Sequence, residues 1–140
     1  MGNGCPVLKS LVALAGRICI SLIFVIAGIM KILQYKAMTL ALANTMLPKV
    51  HWLLILAIIF ELGGGILVLI GWFSRFGAFL LIVFVIIATV VFHSFWTFQG
   101  TEVVNQTYHF LKNLSILGAL LYILAFGAGN YSFDRLRQRG

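Results

Sequence analysis

The sequence predicts an all-α integral membrane protein, a single four-helix bundle. Hydrophobic residues make up 62% of the 140-residue chain and charged residues only 9%. A soluble domain of this size needs more polar residues to cover its surface. The apolar residues also fall in long blocks separated by short polar segments, without the alternation of membrane β-barrel strands.

Four apolar blocks are each long enough, at roughly 20 residues, to cross about 30 Å of hydrocarbon as a helix. The predicted spans are residues 11–33, 52–72, 76–96 and 110–129, all within one domain. A tight turn is expected at 71–75, and the segment 34–51 is expected to lie along the membrane interface. Trp52, Trp72 and Trp96 fall at span ends, where an aromatic belt is typical.

The basic residues predict the orientation of the chain. Four spans place both termini on one side, and more Lys and Arg residues fall on that side than on the other, which favours cytoplasmic termini. The same-side residues are Lys9, Arg17, Arg75, Arg135, Arg137 and Arg139, and those opposite are Lys31, Lys36, Lys49 and Lys112. Because topology accounts for these charges, the net charge of +7 does not indicate nucleic-acid binding.

Glu61 stands near the middle of the second span and is followed by three glycines. A carboxylate in hydrocarbon needs a partner, and depth along the spans predicts Arg17 as that partner. The pair has two interpretations: a structural ion pair that fixes helix register, or part of a proton or ligand site. The glycines let a neighbouring helix approach closely, and they could also break the helix, as in transporters.

Helical spacing of three and four residues predicts one inward stripe in each span. The predicted stripes are Arg17, Ser21, Phe24, Gly28 and Lys31; Ala57, Glu61, Gly64, Gly65 and Val68; Ile82, Ile86, Thr89 and His93; and Lys112, Ser115, Ala119 and Tyr122. Lys31, His93 and Lys112 are expected near the outer ends of their helices. The interior of the bundle should therefore be polar.

His93 is either a helix-capping interfacial residue or a ligand contact that exchanges protons near neutral pH. A metal site is not expected, because no second His or carboxylate lies three or four residues from His93. Nucleotide-binding and hydrolase motifs are absent from the sequence, and so is a pair of histidines placed for haem. No tightly bound cofactor is therefore predicted.

Three segments resemble signatures of the DoxX family: "GRICISLIFVIAGIMKI", "ELGGGILVLIGWFSRFGAFLL", and "HSFW" followed by "FLKNLSILGALL". The resemblance covers the chain from about Arg17 to Tyr122. The matching polar positions are Arg17, Lys31, Glu61, Arg75, His93, Lys112 and Asn113. The resemblance implies a bacterial inner-membrane protein linked to redox metabolism, either as a quinone-handling subunit of an oxidoreductase or as an organiser of stress enzymes.

We therefore expect a membrane component that binds a quinone or a similar amphipathic molecule, beside an oxidoreductase partner. The predicted ligand-binding residues are Arg17, Lys31, Glu61, His93, Trp96, Lys112 and Asn113. One alternative is a scaffold that recruits redox or stress enzymes through the basic C-terminal tail. Another is a small transporter or proton pathway. The sequence leaves open the reaction, if there is one, and the oligomeric state.

Overall fold

A computed structural model describes residues 6–43 and 50–137, and within them the predicted all-α fold is confirmed. The helices are α1 (Pro6–Leu33), α2 (Tyr35–Ala43), α3 (Val50–Ile70), α4 (Ser74–Phe92), α5 (Thr101–Phe126) and α6 (Phe133–Arg137), with a single 3-10 turn at Phe95–Thr97. Four of them, α1, α3, α4 and α5, are long and apolar enough to cross a membrane.

The bounds of the long helices differ from those expected at several ends. Helix α1 already includes Pro6, the first described residue, and so extends five residues ahead of the predicted span. Helix α5 begins at Thr101, ahead of the apolar block, so its first two turns are partly polar. It ends before Gly127, whose φ is +80°. Helix α3 runs unbroken through Gly63, Gly64 and Gly65, so the break considered for a transporter does not occur.

The long helices pack in the order α1, α3, α4 and α5, while α1 and α5 make few contacts with each other. The buried core lies between them and contains Phe24, Val68, Ala78, Leu81, Ile82, Val85, Ile116, Leu120 and Ile123. Residues 127–137 return to the start of α1. We call this end of the bundle, with the α3–α4 turn, the terminal end, and the opposite end, with α2, the distal end.

Glycines let the helices approach each other, as predicted for α3. A Cβ atom at Gly65 would lie 3.2 Å from the Cβ of Phe24 in α1. A Cβ at Gly64 would lie 3.1 Å from the carbonyl oxygen of Gly77 in α4. Two faces of α3 are thus in close contact with two neighbours, which is the small-residue packing of membrane helices.

The predicted inward stripes are correct in α1 and α3, correct in α4 except at Ile86, and wrong for most of α5. The α1 stripe is buried from Arg17 to Gly28, and most of the α3 stripe is buried as well. In α4, however, Ile86 is exposed, and in α5 Lys112, Ser115 and Tyr122 are exposed. Apolar residues fill most of the α4–α5 contact, and Thr89 and Asn113 make a polar contact within it. Lipid tails are as apolar as these side chains, so spacing alone does not determine which stripe faces protein.

The α3–α4 turn depends on Gly71, which has a φ of +70°. A Cβ at this position would lie 2.5 Å from the Cβ of Ser132 and 2.8 Å from Nη1 of Arg17. The turn is therefore packed against the returning C-terminal segment, with no room for a side chain.

We predict that Gly71→Ala lowers the free energy of unfolding by about 2 kcal/mol or more, because it combines a left-handed backbone with a steric clash. Thermal unfolding in detergent checks this. Gly118→Ala is the control, since a Cβ at Gly118 meets nothing within 4 Å. Equal melting temperatures for the two variants would contradict the packing described here.

Candidate functional site

A cavity of about 700 Å³ occupies the distal half of the bundle. Residues from α1, α3, α4 and α5 form most of its wall, and Leu42 of α2 contributes as well. The wall is mainly aliphatic and aromatic. Its charged and polar residues are Lys31, Glu61, His93, Lys112 and Asn113. Five of the seven predicted ligand-binding residues thus line one space.

Glu61 and Lys31 form an ion pair across the α1–α3 contact. Nζ of Lys31 donates a hydrogen bond to Oε1 of Glu61 at 2.9 Å and lies 2.8 Å from Oε2. The Glu61 side chain is only 5% exposed, whereas that of Lys31 is 23% exposed. Oε2 has this ionic contact but no well-directed hydrogen bond. A carboxylate with spare accepting capacity therefore faces the cavity.

The prediction that Arg17 pairs with Glu61 is wrong. The register of α1 against α3 explains why. A Cβ at Gly28 would touch Leu62, so Lys31 lies close to the level of Glu61. Arg17 is instead level with Gly71. Gly71 is ten residues beyond Glu61, about 15 Å along a helix. The side chain of Arg17 extends toward the terminal end, where carbonyl oxygens accept its hydrogen bonds.

The opposite wall carries a polar cluster between α4 and α5. Nδ1 of His93 lies 2.8 Å from Oε1 of Gln106. The His93 ring also stacks on the ring of His109, with the centroids 4.8 Å apart. Nζ of Lys112 is 3.3 Å from Nδ1 of His109. The two imidazoles and the ammonium form a contiguous array of exchangeable protons at the distal end.

Local structure explains how these side chains are held. His93 is the C-cap residue of α4, and its backbone N–H donates to the carbonyl of Thr89, as the helix-capping interpretation predicts. The Nδ2 atom of Asn113 donates to Oγ1 of Thr89 at 2.9 Å. This bond fixes Asn113 at the α4–α5 contact. Among the described residues, no donor forms a hydrogen bond with the side-chain carbonyl oxygen of Asn113.

Two predicted ligand-binding residues lie elsewhere. Arg17 belongs to the terminal end. Trp96 is exposed on the 3-10 turn and makes edge-on ring contacts with Phe95 and Phe110. Trp96 does not line the cavity, because the chain leaves α4 after Phe92 and carries the indole outward. This outward position is compatible with the interfacial belt predicted for it.

Gln106 and His109 are site residues that the sequence interpretation missed. They lie three residues apart in the first part of α5, ahead of the predicted fourth span of residues 110–129. Their spacing puts them on one helical face, which was the available signal. Among the described residues no group of three potential metal ligands is found.

Asp134 is a further residue that sequence reasoning missed, and it secures the terminal end. Its carboxylate accepts hydrogen bonds from the backbone N–H groups of Phe73 and Ser74 and from the Ser74 hydroxyl. Its own N–H donates to the Gly71 carbonyl at 2.8 Å. Asp134 therefore caps the N-terminus of α4 from a distant part of the chain. Arg137 lies over the Phe73 ring.

The comparison with known proteins identifies the chain as a member of the DoxX family. The DoxX family model matches residues 12–94, more than half of the chain. The inner membrane protein YphA of Escherichia coli is 32% identical over 91% of both chains. The inner membrane protein YqjF of the same organism is 33% identical over 92% of this chain and 94% of its own.

A more distant similarity extends to eukaryotes. The Surfeit locus protein 4 homolog of Schizosaccharomyces pombe is 30% identical over 64% of this chain, which covers 30% of that protein. No solved structure matches the chain. The similarities thus show a DoxX-family membrane protein whose bacterial relatives belong to the inner membrane.

We predict that Lys31 and Glu61 are energetically coupled in a double-mutant cycle of Lys31→Met and Glu61→Gln. Removing one partner leaves the other unpaired, so the coupling energy should be about 1–3 kcal/mol. Chemical unfolding in mixed micelles measures it. Arg17→Gln serves as the comparison and should be additive with Glu61→Gln within about 0.5 kcal/mol. Additivity of the Lys31 and Glu61 changes would contradict the observed pairing.

The stabilisation that Asp134 gives to the terminal end should depend on pH. Burial opposes ionisation of this carboxyl, but hydrogen bonds from Ser74 and Phe73 and the charge of Arg137 outweigh it. They hold the pKa of Asp134 below its usual value of 3.8. Because the folded-state pKa is depressed, the stabilisation is present at neutral pH and is lost as pH falls through the folded pKa.

The melting temperature of wild type should exceed that of Asp134→Asn by a constant margin down to about pH 5, and the margin should shrink toward about pH 3. Thermal unfolding of both proteins across this range tests the expectation. A margin of the same size at both ends of the range would show that the Asp134 charge does not stabilise the terminal end.

Proposed function

We propose that the distal cavity binds a quinone or a closely similar amphipathic molecule, and that the protein serves redox metabolism as a ligand-binding membrane subunit. The main support is that five of the seven residues predicted as ligand contacts, although distant in the sequence, line a single space. A mostly apolar pocket with a few convergent polar groups is typical of small-molecule sites. Its volume of about 700 Å³ falls within the range for such ligands.

The polar groups suit a ligand head that carries carbonyl oxygens. Lys31 makes its two polar contacts with the oxygens of Glu61, and Lys112 makes one with His109, while an ammonium has three N–H donors. Both therefore retain N–H groups for carbonyl oxygens of a ligand. The Asn113 side chain lines the cavity from the α4–α5 wall, where Thr89 holds it. The headgroup would lie at the distal end, between the Lys31–Glu61 pair and the His93–His109 stack.

The apolar part of the cavity suits the remainder of such a ligand. Phe24, Phe60 and Phe84 contribute to the wall, and their rings offer surfaces for an isoprenoid chain. Since α1 and α5 make few contacts along their lengths, the bundle is least closed between these helices. A lipophilic ligand would enter from the bilayer on this side.

Glu61 and His93 would exchange protons with a bound quinone. Reduction of a quinone to a quinol takes up two electrons and two protons, so a partner oxidoreductase would supply the electrons. This chain's role in the proposal is to bind the ligand and to relay protons at the His93 ring and at Oε2 of Glu61, which as a carboxylate takes up a proton before passing it on. In this proposal the partner carries the redox centre.

The alternative proposal is a scaffold that recruits redox or stress enzymes. It is favoured by helix α6, where Arg135 and Arg137 are exposed at the terminal end. Arg139, the third basic residue of the tail, lies outside the described residues. Deletion of the tail should abolish co-purification of partners under this alternative while ligand binding is retained. The predicted cytoplasmic location of both termini would place the tail beside soluble enzymes.

We predict that quinone co-purifies with the wild-type protein in near-stoichiometric amount. Folded Glu61→Gln and His93→Ala variants should retain at most about a tenth of it, which for a nearly saturated site corresponds to a loss of more than about 1.4 kcal/mol in binding. Solvent extraction followed by chromatography with mass detection measures the content. Folding of each variant is checked beforehand by circular dichroism and gel filtration.

Glu102→Gln is the matched control, because Glu102 is an exposed acid at the start of α5 and does not line the cavity. This control should carry as much quinone as wild type. Absence of quinone from the wild type, even after quinone is added, would overturn the ligand proposal and favour the scaffold. Equal loss in the Glu102 variant would show that the effect is not specific to the cavity.

A further inference from the structure

A second cavity, of about 770 Å³, lies at the terminal end of the bundle, away from the Lys31–Glu61 pair. Its polar wall consists of Arg17 with Ser10, Asn130, Tyr131 and Ser132. The remaining wall is apolar and comes from the start of α1, the end of α3 and the region of α6. Among the described residues, no carboxylate side chain lines this cavity.

The guanidinium of Arg17 is buried beside this cavity without a matching negative charge. Arg17 is 5% exposed. It donates hydrogen bonds from Nη1 to the carbonyl of Ala128 at 2.6 Å and from Nη2 to that of Tyr131 at 2.7 Å. Its Nε has no hydrogen-bond partner. Both accepting groups are neutral.

Asp134 does not neutralise this charge by contact. Among the described residues, the ion pair within 4.0 Å is that of Lys31 and Glu61, so no described carboxylate oxygen reaches Arg17. Asp134 attracts the guanidinium from farther away, while its oxygens accept the hydrogen bonds of Phe73 and Ser74. A buried arginine remains charged, and a buried charge without a counter-ion is costly.

We propose that the terminal cavity binds a phosphate group through the charge of Arg17. Arginine is well suited to phosphate because its planar guanidinium presents several donors to the oxygens. Beside it, the Asn130 amide donates one N–H to Oγ of Ser10 and keeps its second N–H for a ligand oxygen, whereas the Ser132 hydroxyl already donates to the carbonyl of Gly129. With no acidic side chain in the wall, nothing in the described cavity repels an anion.

A phospholipid is the source of phosphate that fits the rest of the cavity. Val7 and Ile70 line it and are exposed on the outer surface of membrane-spanning helices. An acyl chain would lie against these side chains while the headgroup approached Arg17. An anionic headgroup such as phosphatidylglycerol keeps its net negative charge, whereas the choline of phosphatidylcholine cancels it. The site should therefore prefer the anionic lipid.

Native mass spectrometry of the detergent-solubilised protein tests the proposal, with phosphatidylglycerol and phosphatidylcholine of equal chain length as probes. Wild type should bind phosphatidylglycerol at least tenfold more tightly. Arg17→Gln should abolish the preference. Arg75→Gln is the matched control, because Arg75 is an exposed arginine at the same end and does not line the cavity; this variant should keep the preference.

A second variant keeps the test decisive if Arg17→Gln does not fold. Asn130 is exposed and lines the cavity, so Asn130→Asp adds a negative charge with almost no change of shape. It should reduce the preference at least tenfold. Equal binding of the two lipids by wild type, or full preference in Asn130→Asp, would overturn the proposal.

Inorganic phosphate distinguishes a lipid from a soluble ligand. At millimolar concentration it should leave phosphatidylglycerol binding unchanged if the apolar wall contributes to affinity. If inorganic phosphate displaces the lipid from wild type but not from Asn130→Asp, the cavity is a phosphate site. Its ligand would then be a soluble phosphate rather than a phospholipid. Displacement that is equal in Asn130→Asp would contradict a phosphate site at this cavity.

Discussion

The ion pair between Lys31 and Glu61 is the constraint on which the distal half of the bundle depends. A carboxylate in the middle of a membrane helix needs a counter-ion, and α1 supplies it only in one register relative to α3. Close contacts at Gly28 and Gly65 fix the same register. Charge and packing thus agree on one arrangement, which leaves one carboxylate oxygen free of directed hydrogen bonds at the cavity wall.

Both ends of the bundle carry charge, but each end is organised differently. At the distal end, a paired carboxylate and a histidine stack surround an amphipathic cavity. At the terminal end, Asp134 caps α4, while Arg17 is held by carbonyl oxygens alone. The proposed ligands follow from this contrast. A site whose buried carboxylate is paired suits a neutral quinone, and a buried cation without a contacting counter-ion suits an anionic headgroup.

The fold could be predicted from the sequence because hydrocarbon thickness and hydropathy leave few alternatives to a helical bundle. The buried face of α1 was predictable from its small and polar residues. The face of α5 was not, because packing in lipid does not separate apolar from polar residues as water does. The pairing of Glu61 was also missed, since depth estimated from approximate span limits placed Arg17 too close. Asp134 acts through a contact between distant segments, which local patterns do not reveal.

The most direct test of this account is the distance between Nζ of Lys31 and the carboxyl carbon of Glu61 in a bilayer. Dipolar recoupling by solid-state NMR measures it in protein labelled with ¹⁵N-lysine and ¹³C-glutamate. The assignment is simple because Glu61 and Glu102 are the two glutamates of the chain. We expect strong dephasing of the Glu61 carboxyl signal that Lys31→Met abolishes. Absence of dephasing, or its persistence in Lys31→Met, would contradict the pairing on which the proposed site rests.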